Sequence, residues 1–154
     1  MTAGLLAGFN TGIQRSWIII DNATQLPVPF GGDVLDLESS PMINEITIKP
    51  ISTQGYDKFK DDRSGWEGTM TVARNNGDAD NFEAAQEALY HSIGGQKYFT
   101  IYETTINDDN SIDEFVYAGA TLKMTNSGSA RKDSSIDLKF KVRAQSRQAP
   151  GQST

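Results

Sequence analysis

Ile136-Asp137-Leu138-Lys139-Phe140-Lys141-Val142-Arg143-Ala144 is the stretch that decides the fold. Ile136, Leu138, Phe140, Val142 and Ala144 fall on one side of an extended chain, and Asp137, Lys139, Lys141 and Arg143 on the other, because successive side chains of a strand point to opposite faces. A strand with one dry and one wet face belongs to an antiparallel sheet lying over a core. The same period recurs upstream. Residues 97–105 and 112–124 flank the turn formers Asn107, Asp108, Asp109, Asn110 and Ser111, which predicts a hairpin, and a second turn over 125–130 leads into the 136–144 strand. Trp66, Gly68, Met70 and Val72 alternate with Glu67, Thr69, Thr71 and Ala73. Within 43–51, Ile46 and Ile48 alternate with Glu45, Thr47 and Lys49 as in a half-buried strand, which Pro50 ends or bulges. Residues 17–20 form a short aromatic and β-branched run closed by Asp21 and Asn22. The Pro/Gly stretch 27–36 reads as loop or edge strand, since proline cannot donate within a central ladder.

One helix interrupts the strands. Asn75, Asn76 and Gly77 make a turn, Asp80 is a candidate N-cap, and Glu83 three residues later completes an acidic variant of the capping box. Phe82, Ala85, Leu89 and Ile93 then recur at helical spacing, predicting a helix over 80–93 whose apolar stripe forms a helix-to-sheet core. Gly94 and Gly95 stop it. Before Trp66, residues 52–65 read STQGYDKFKDDRSG, with charge of both signs and neither helical nor strand period. This predicts an exposed loop, and loops so long in compact domains are either functional or disordered.

The 154 residues fit one domain, here 15–147, preceded by an arm over 1–14 and followed by a flexible polar tail over 148–154. An apolar share of 37% is modest and suits a thin architecture, a small β-sandwich or partly open barrel. The net charge of −6 argues against a dedicated nucleic-acid binder, which needs a concentrated basic stripe. With no cysteine there is no disulfide framework, thiolate zinc site or cysteine nucleophile. The start of the chain lacks the positive charge and long apolar run of a signal peptide, and no window is apolar for long enough to cross a bilayer, so the expectation is a soluble protein without membrane contact.

The residues offer little chemistry. His91 is the single histidine, so neither a metal pair nor a triad can be built around two of them, and its place late in the helix suits the terminal carbonyls. Asp78, Asp80 and Asn81, and Asp108, Asp109, Asn110, Asp113 and Glu114, lack the glycine and distal glutamate of a calcium loop and read as turn and cap chemistry. Paired carboxylates for glycoside hydrolysis need a cleft that a chain this short has little room for. Gly31 and Gly32 lack the context of a phosphate loop and read as a turn. The expectation is a non-enzymatic protein with no catalytic residue, metal or cofactor.

Several words of the sequence resemble the tail tube proteins of contractile-tailed bacteriophages, whose fold is shared with type VI secretion tube proteins. Arg15-Ser16-Trp17 leading to Asp21-Asn22-Ala23-Thr24 resembles the opening strand and turn of that family, and Gly65-Trp66-Glu67-Gly68-Thr69 the strand leaving its long loop. Asn76-Gly77-Asp78 with Phe82 resembles the helix entry. Tyr98-Phe99-Thr100-Ile101-Tyr102-Glu103-Thr104 and Tyr117-Ala118-Gly119-Ala120-Thr121-Leu122-Lys123 resemble the C-terminal hairpin. The matches run from Arg15 to Arg147, and none is a chemical signature.

The resemblance implies a mainly β fold with one α-helix, a β-sandwich or partly open barrel of the phage tail tube type. It implies hexameric rings stacked into a tube, with a contractile sheath, a tape-measure protein and a baseplate as partners, and DNA passing along the lumen without specific binding. The place implied is the virion tail, assembled in the host cytoplasm. The loop 52–65 would then touch the adjacent ring through Tyr56, Asp57, Lys58, Phe59, Lys60, Asp61, Asp62 and Arg63, with Leu5, Leu6 and Phe9 of the arm as a further contact. Other readings stay open: a type VI tube protein, a baseplate or tail-terminator ring subunit, and a monomeric carbohydrate-binding β-sandwich using Trp17, Trp66 or Tyr56.

Overall fold

The structure, a computed structural model, describes residues 12–49, 56–129 and 136–149. After a 3-10 turn, Gly12–Gln14, come β1 (Arg15–Asp21), a second such turn at Gly31–Asp33, β2 (Val34–Ile48) and β3 (Lys58–Ala73). Helix α1 (Asp78–Ile93) follows, then β4 (Phe99–Ile106), β5 (Ile112–Ser129), β6 (Asp137–Ala144) and β7 (Ser146–Gln148). The strands run antiparallel in the order β1-β4-β5-β6-β3-β2, with β7 added to β5. The path is not closed into a barrel.

β5 belongs to two sheets. Its first half pairs with β4, and β4 with β1, making a first sheet to which β7 is added. Its second half pairs with β6, making a second sheet β5-β6-β3-β2. The change of sheet falls at Gly119, where φ is +60° and a side chain would strike Gln145. Between the sheets lie Ile19, Phe99 and Ile101 from the first, Met70, Val72, Leu138 and Phe140 from the second, and Tyr117, Ala120 and Leu122 from β5. Phe30 stacks on Phe140 with centroids 5.3 Å apart, and Phe82 of α1 meets Phe30 at 4.9 Å and Phe99 at 5.3 Å.

The alternation predicted for 136–144 and for Trp66, Gly68, Met70 and Val72 matches the register, in which Met70 faces Phe140 and Val72 faces Leu138. Five expectations need correction. The 52–65 loop is a strand from Lys58 onward, paired along its length with β2, while 50–55 lie outside the described residues. Ile46 and Ile48 do not face the core: they are 46% and 45% exposed. The helix begins at Asp78 after Gly77 without a side-chain cap; Asp80 instead pairs with Arg74 at 3.0 Å. Of the predicted stripe, Phe82 packs into the core and Leu89 is half-buried, but Ala85 is exposed and Ile93 is 77% exposed, because α1 touches the sheets mainly through its first turns. Finally, Gln148, placed at the start of the flexible tail, is instead the last residue of β7. Leu5, Leu6 and Phe9 lie outside the described residues.

Candidate functional site

β3 pairs with β6 only over Trp66–Ala73, yet it pairs with β2 from Val72 back to Lys58. The outer part of that pair, 43–48 against 58–63, therefore has no third strand among the described residues. It is a two-stranded arm about 20 Å long at the usual rise per residue, carried beyond the body of the second sheet. Its base is marked by the register shift between Met42 and Ile43 and by Gly65, where a side chain would strike the Ala144 carbonyl.

The register sorts the arm's residues into two unlike faces. One face carries Ile46 opposite Lys60 and Ile48 opposite Lys58, with Asn44 opposite Asp62. The other carries Glu45 opposite Asp61, Thr47 opposite Phe59 and Ile43 opposite Arg63. Like charges directly opposite each other, as Glu45 and Asp61 are, weaken a strand pair. An isolated two-stranded hairpin is marginal in water to begin with. This one also leaves Phe59 65% exposed alongside Ile46 and Ile48. Apolar side chains exposed on both faces of an unsupported ribbon make the arm the candidate contact surface. Tyr56 and Asp57 lie just before the arm's second strand. The structure thus brings the predicted contact residues Lys58 to Arg63 together, and adds Ile43, Ile46 and Ile48 of β2, which sequence reasoning had assigned to a half-buried strand.

The second sheet also has unpaired rims. No strand pairs with the outer edge of β2 among the described residues. Pro41 sits in the middle of that strand, as an edge permits and a central strand does not.

A polar clip lies beside the base of the arm, where Arg147 stands over the Trp66 ring. Glu103 is 2% exposed, and it accepts from Arg147 at 2.8 Å and from the Trp17 indole at 3.0 Å. Arg147 also donates to the Tyr117 hydroxyl at 2.9 Å, which shares a 2.7 Å bond with Ser39. The guanidinium stands 4.0 Å from the centre of the Phe115 ring. Burial pushes the Tyr117 phenol up. Every group in the clip is engaged within it, which makes it a fastening between β1, β2, β4, β5 and β7. Sequence reasoning missed it, because a buried glutamate on a strand and an arginine at the very end of the domain carry no pattern of their own.

The remaining candidates do not converge. His91 is exposed and 3.7 Å from Glu87. The acidic turn is held by Asn107 donating to Asp113 and Ser111, and by Asp109 accepting from Ser111, whose hydrogen bonds hold the Asp109 carboxyl below its usual range. No group of three acids or histidines placed to hold a metal occurs among the described residues. No described helix is long and apolar enough to cross a membrane. Trp17 and Trp66 both pack against the core.

No family sequence model matches the chain, and no curated protein matches it by sequence. Solved structures do match by fold. A protein of the sheath/tube terminator of an extracellular contractile injection system, PVC, in the extended state aligns with a TM-score of 0.61 at 11% identity, covering 88% of this chain and 94% of that one. One from the PVC sheath-tube complex aligns at 0.59 and 13% identity, over 90% and 89%. One from the anti-feeding prophage baseplate, 6-fold symmetrised, aligns at 0.57 and 9% identity, over 98% of both chains. At these identities the likeness is one of fold, and the chain has the architecture shared by tube, terminator and baseplate components of contractile injection systems.

Proposed function

We propose that the chain is a structural, non-enzymatic subunit of a phage tail tube, which closes into hexameric rings and stacks them through the 43–48/58–63 arm. The observation that carries this reading is the arm itself: a ribbon exposed on both faces, with Ile46, Ile48 and Phe59 uncovered and charge of opposite sign on its two sides. Apolar side chains would fill a pocket on the next ring, while Lys58 and Lys60 on one face and Glu45 and Asp61 on the other set register and reject wrong docking. The unpaired outer edge of β2 is a hazard in a free subunit, and closure into a ring covers it. The lumen is a conduit for DNA, for which an overall charge of −6 favours sliding over sticking. Sheath, tape-measure and baseplate proteins are the expected partners, the virion tail the expected place, and assembly takes place in the host cytoplasm.

Negative-stain electron microscopy of the purified chain, with sedimentation over a wide range of concentration, tests this. Rings that lengthen into tubes as concentration rises are the expected result. Rings that never stack would assign the chain to a terminator or baseplate instead, and a strict monomer at every concentration would sink the assembly reading.

A further inference from the structure

β5 outlasts β4. The first-sheet pairing ends with Phe99 opposite Ala120, while β5 continues to Ser129, so among the described residues the β4 side of its second half is left without a strand. On that side the Leu122 carbonyl and the Met124 N–H point away from β6. These are main-chain groups by which an added strand would dock, and both are taken by α1. The Gln86 side-chain amide donates to the Leu122 carbonyl at 3.1 Å, and the Glu83 carboxylate accepts from the Met124 N–H. Gln86 also donates to Glu83 at 3.2 Å, tying the two side chains into one unit. Beyond Met124 the edge is irregular, with register shifts around Asn126 and the Gly128 N–H taken by the Asn126 side chain.

We propose that Glu83 and Gln86 determine the specificity of self-association by closing the β5 edge to strands of a second copy, so that copies meet through the β2 side of the sheet. An acceptor and a donor one helical turn apart stand in for the carbonyl and N–H of a neighbouring strand. A row of unpaired main-chain groups is a template for any free strand. The two ends of the second sheet are then unlike: β5 is shut by side chains, while β2 keeps an unpaired edge. That asymmetry blocks sheet growth in which the β2 edge of one copy joins the β5 edge of the next. What the wild type builds rests on the assembly reading above; the closed edge does not.

The variant Glu83→Ala/Gln86→Ala keeps good helix formers in α1. In it the Met124 amide should exchange its hydrogen about tenfold faster or more, as a lost hydrogen bond allows. The variant should also form larger, irregular species by mass photometry at concentrations where the wild type does not. Glu83→Gln, which keeps an acceptor facing Met124, should behave as the wild type. Should the double alanine variant lose its fold by circular dichroism, Gln86→Glu, which sets a carboxylate against the Leu122 carbonyl, should show the same association. A Met124 amide that exchanges at the wild-type rate would overturn the proposal, and so would an opened edge that draws no new species. A wild type that is monomeric throughout ends the assembly reading alone, because the variant's gain of association is still expected.

Discussion

Arg147 donates to Glu103 at 2.8 Å, and through that contact a three-residue strand is fastened over a carboxylate that is almost wholly buried. A charge in such a place is tolerated only while it is paired and hydrogen-bonded. Arg147→Met should therefore lower stability by about 3–5 kcal/mol, the usual cost of orphaning one half of a buried pair. Arg147→Lys should rescue little, because the guanidinium serves Glu103 and Tyr117 from two nitrogens while lying against Phe115. Adding Glu103→Gln to Arg147→Met should restore most of the loss. Urea denaturation of the four proteins checks this, and a loss below about 1 kcal/mol for Arg147→Met would show that β7 is not held by the pair.

Helix α1 is anchored at one end. Phe82 touches Phe30, Phe99 and Phe140, whereas Ile93 is exposed. Phe82→Ala is expected to cost about 3–5 kcal/mol, and Ile93→Ala to stay within about 0.5 kcal/mol. Half-buried Leu89 should fall between them. Equal effects at positions 82 and 93 would contradict the observed packing.

Gly68 sits in mid-strand for a steric reason. A side chain there would run into the Glu38 carbonyl of β2. Since that obstacle is backbone, Gly68→Ala should force β2 away from β3 and cost about 1–3 kcal/mol, as overpacking does. Faster amide exchange along 37–40 would locate the damage; unchanged exchange there, together with unchanged stability, would refute the close approach.

The fold was legible where a strand has one wet and one dry face. The alternations at 66–72 and 136–144 survive in the structure because β3 and β6 lie against the core on one side only. The second strand of the arm was not legible, because a ribbon wet on both faces need carry no alternation: Lys58, Phe59 and Lys60 look like loop when nothing lies beneath them. The helix stripe misled for a related reason. Phe82, Leu89 and Ile93 have the right spacing, but spacing does not say how far along its length a helix stays on the sheet, and α1 leaves it after the first turns. The clip was invisible because Glu103 and Arg147 are 44 residues apart and neither is marked by its neighbours.

Glu83 gives stability a pH slope. Burial against β5 pushes its carboxyl above the ordinary 4.5, outweighing the bonds from Met124 and Gln86, which act the other way. A carboxyl raised in the folded state contributes stability that is fully present below the unfolded value and is lost as pH rises through the folded one. The wild type should thus lose stability on passing upward from about pH 4 to pH 7 relative to Glu83→Gln, which cannot ionise. Denaturation midpoints of both proteins at several pH values check the sign. A difference that stays flat, or that grows in favour of the wild type as pH rises, would show that the hydrogen bonds outweigh burial.

The arm separates folding from assembly. Because Ile46, Ile48 and Phe59 are exposed and no third strand among the described residues leans on them, Ile46→Ser/Ile48→Ser/Phe59→Ser should change the stability of the body by no more than about 0.5 kcal/mol per site. Under the stacking reading, the same variant should form rings but no tubes, since its apolar anchors are gone while the β2 edge and the core are untouched. Charge reversal distinguishes the two faces. Lys58→Glu/Lys60→Glu should abolish stacking and Glu45→Lys/Asp61→Lys should do the same, but a mixture of the two should not recover it unless the faces dock on one another. Sedimentation and negative-stain images of each variant read this out. Tubes of normal length from the triple serine variant would show that the arm does not stack rings, and would turn attention to residues 1–11 as the inter-ring contact.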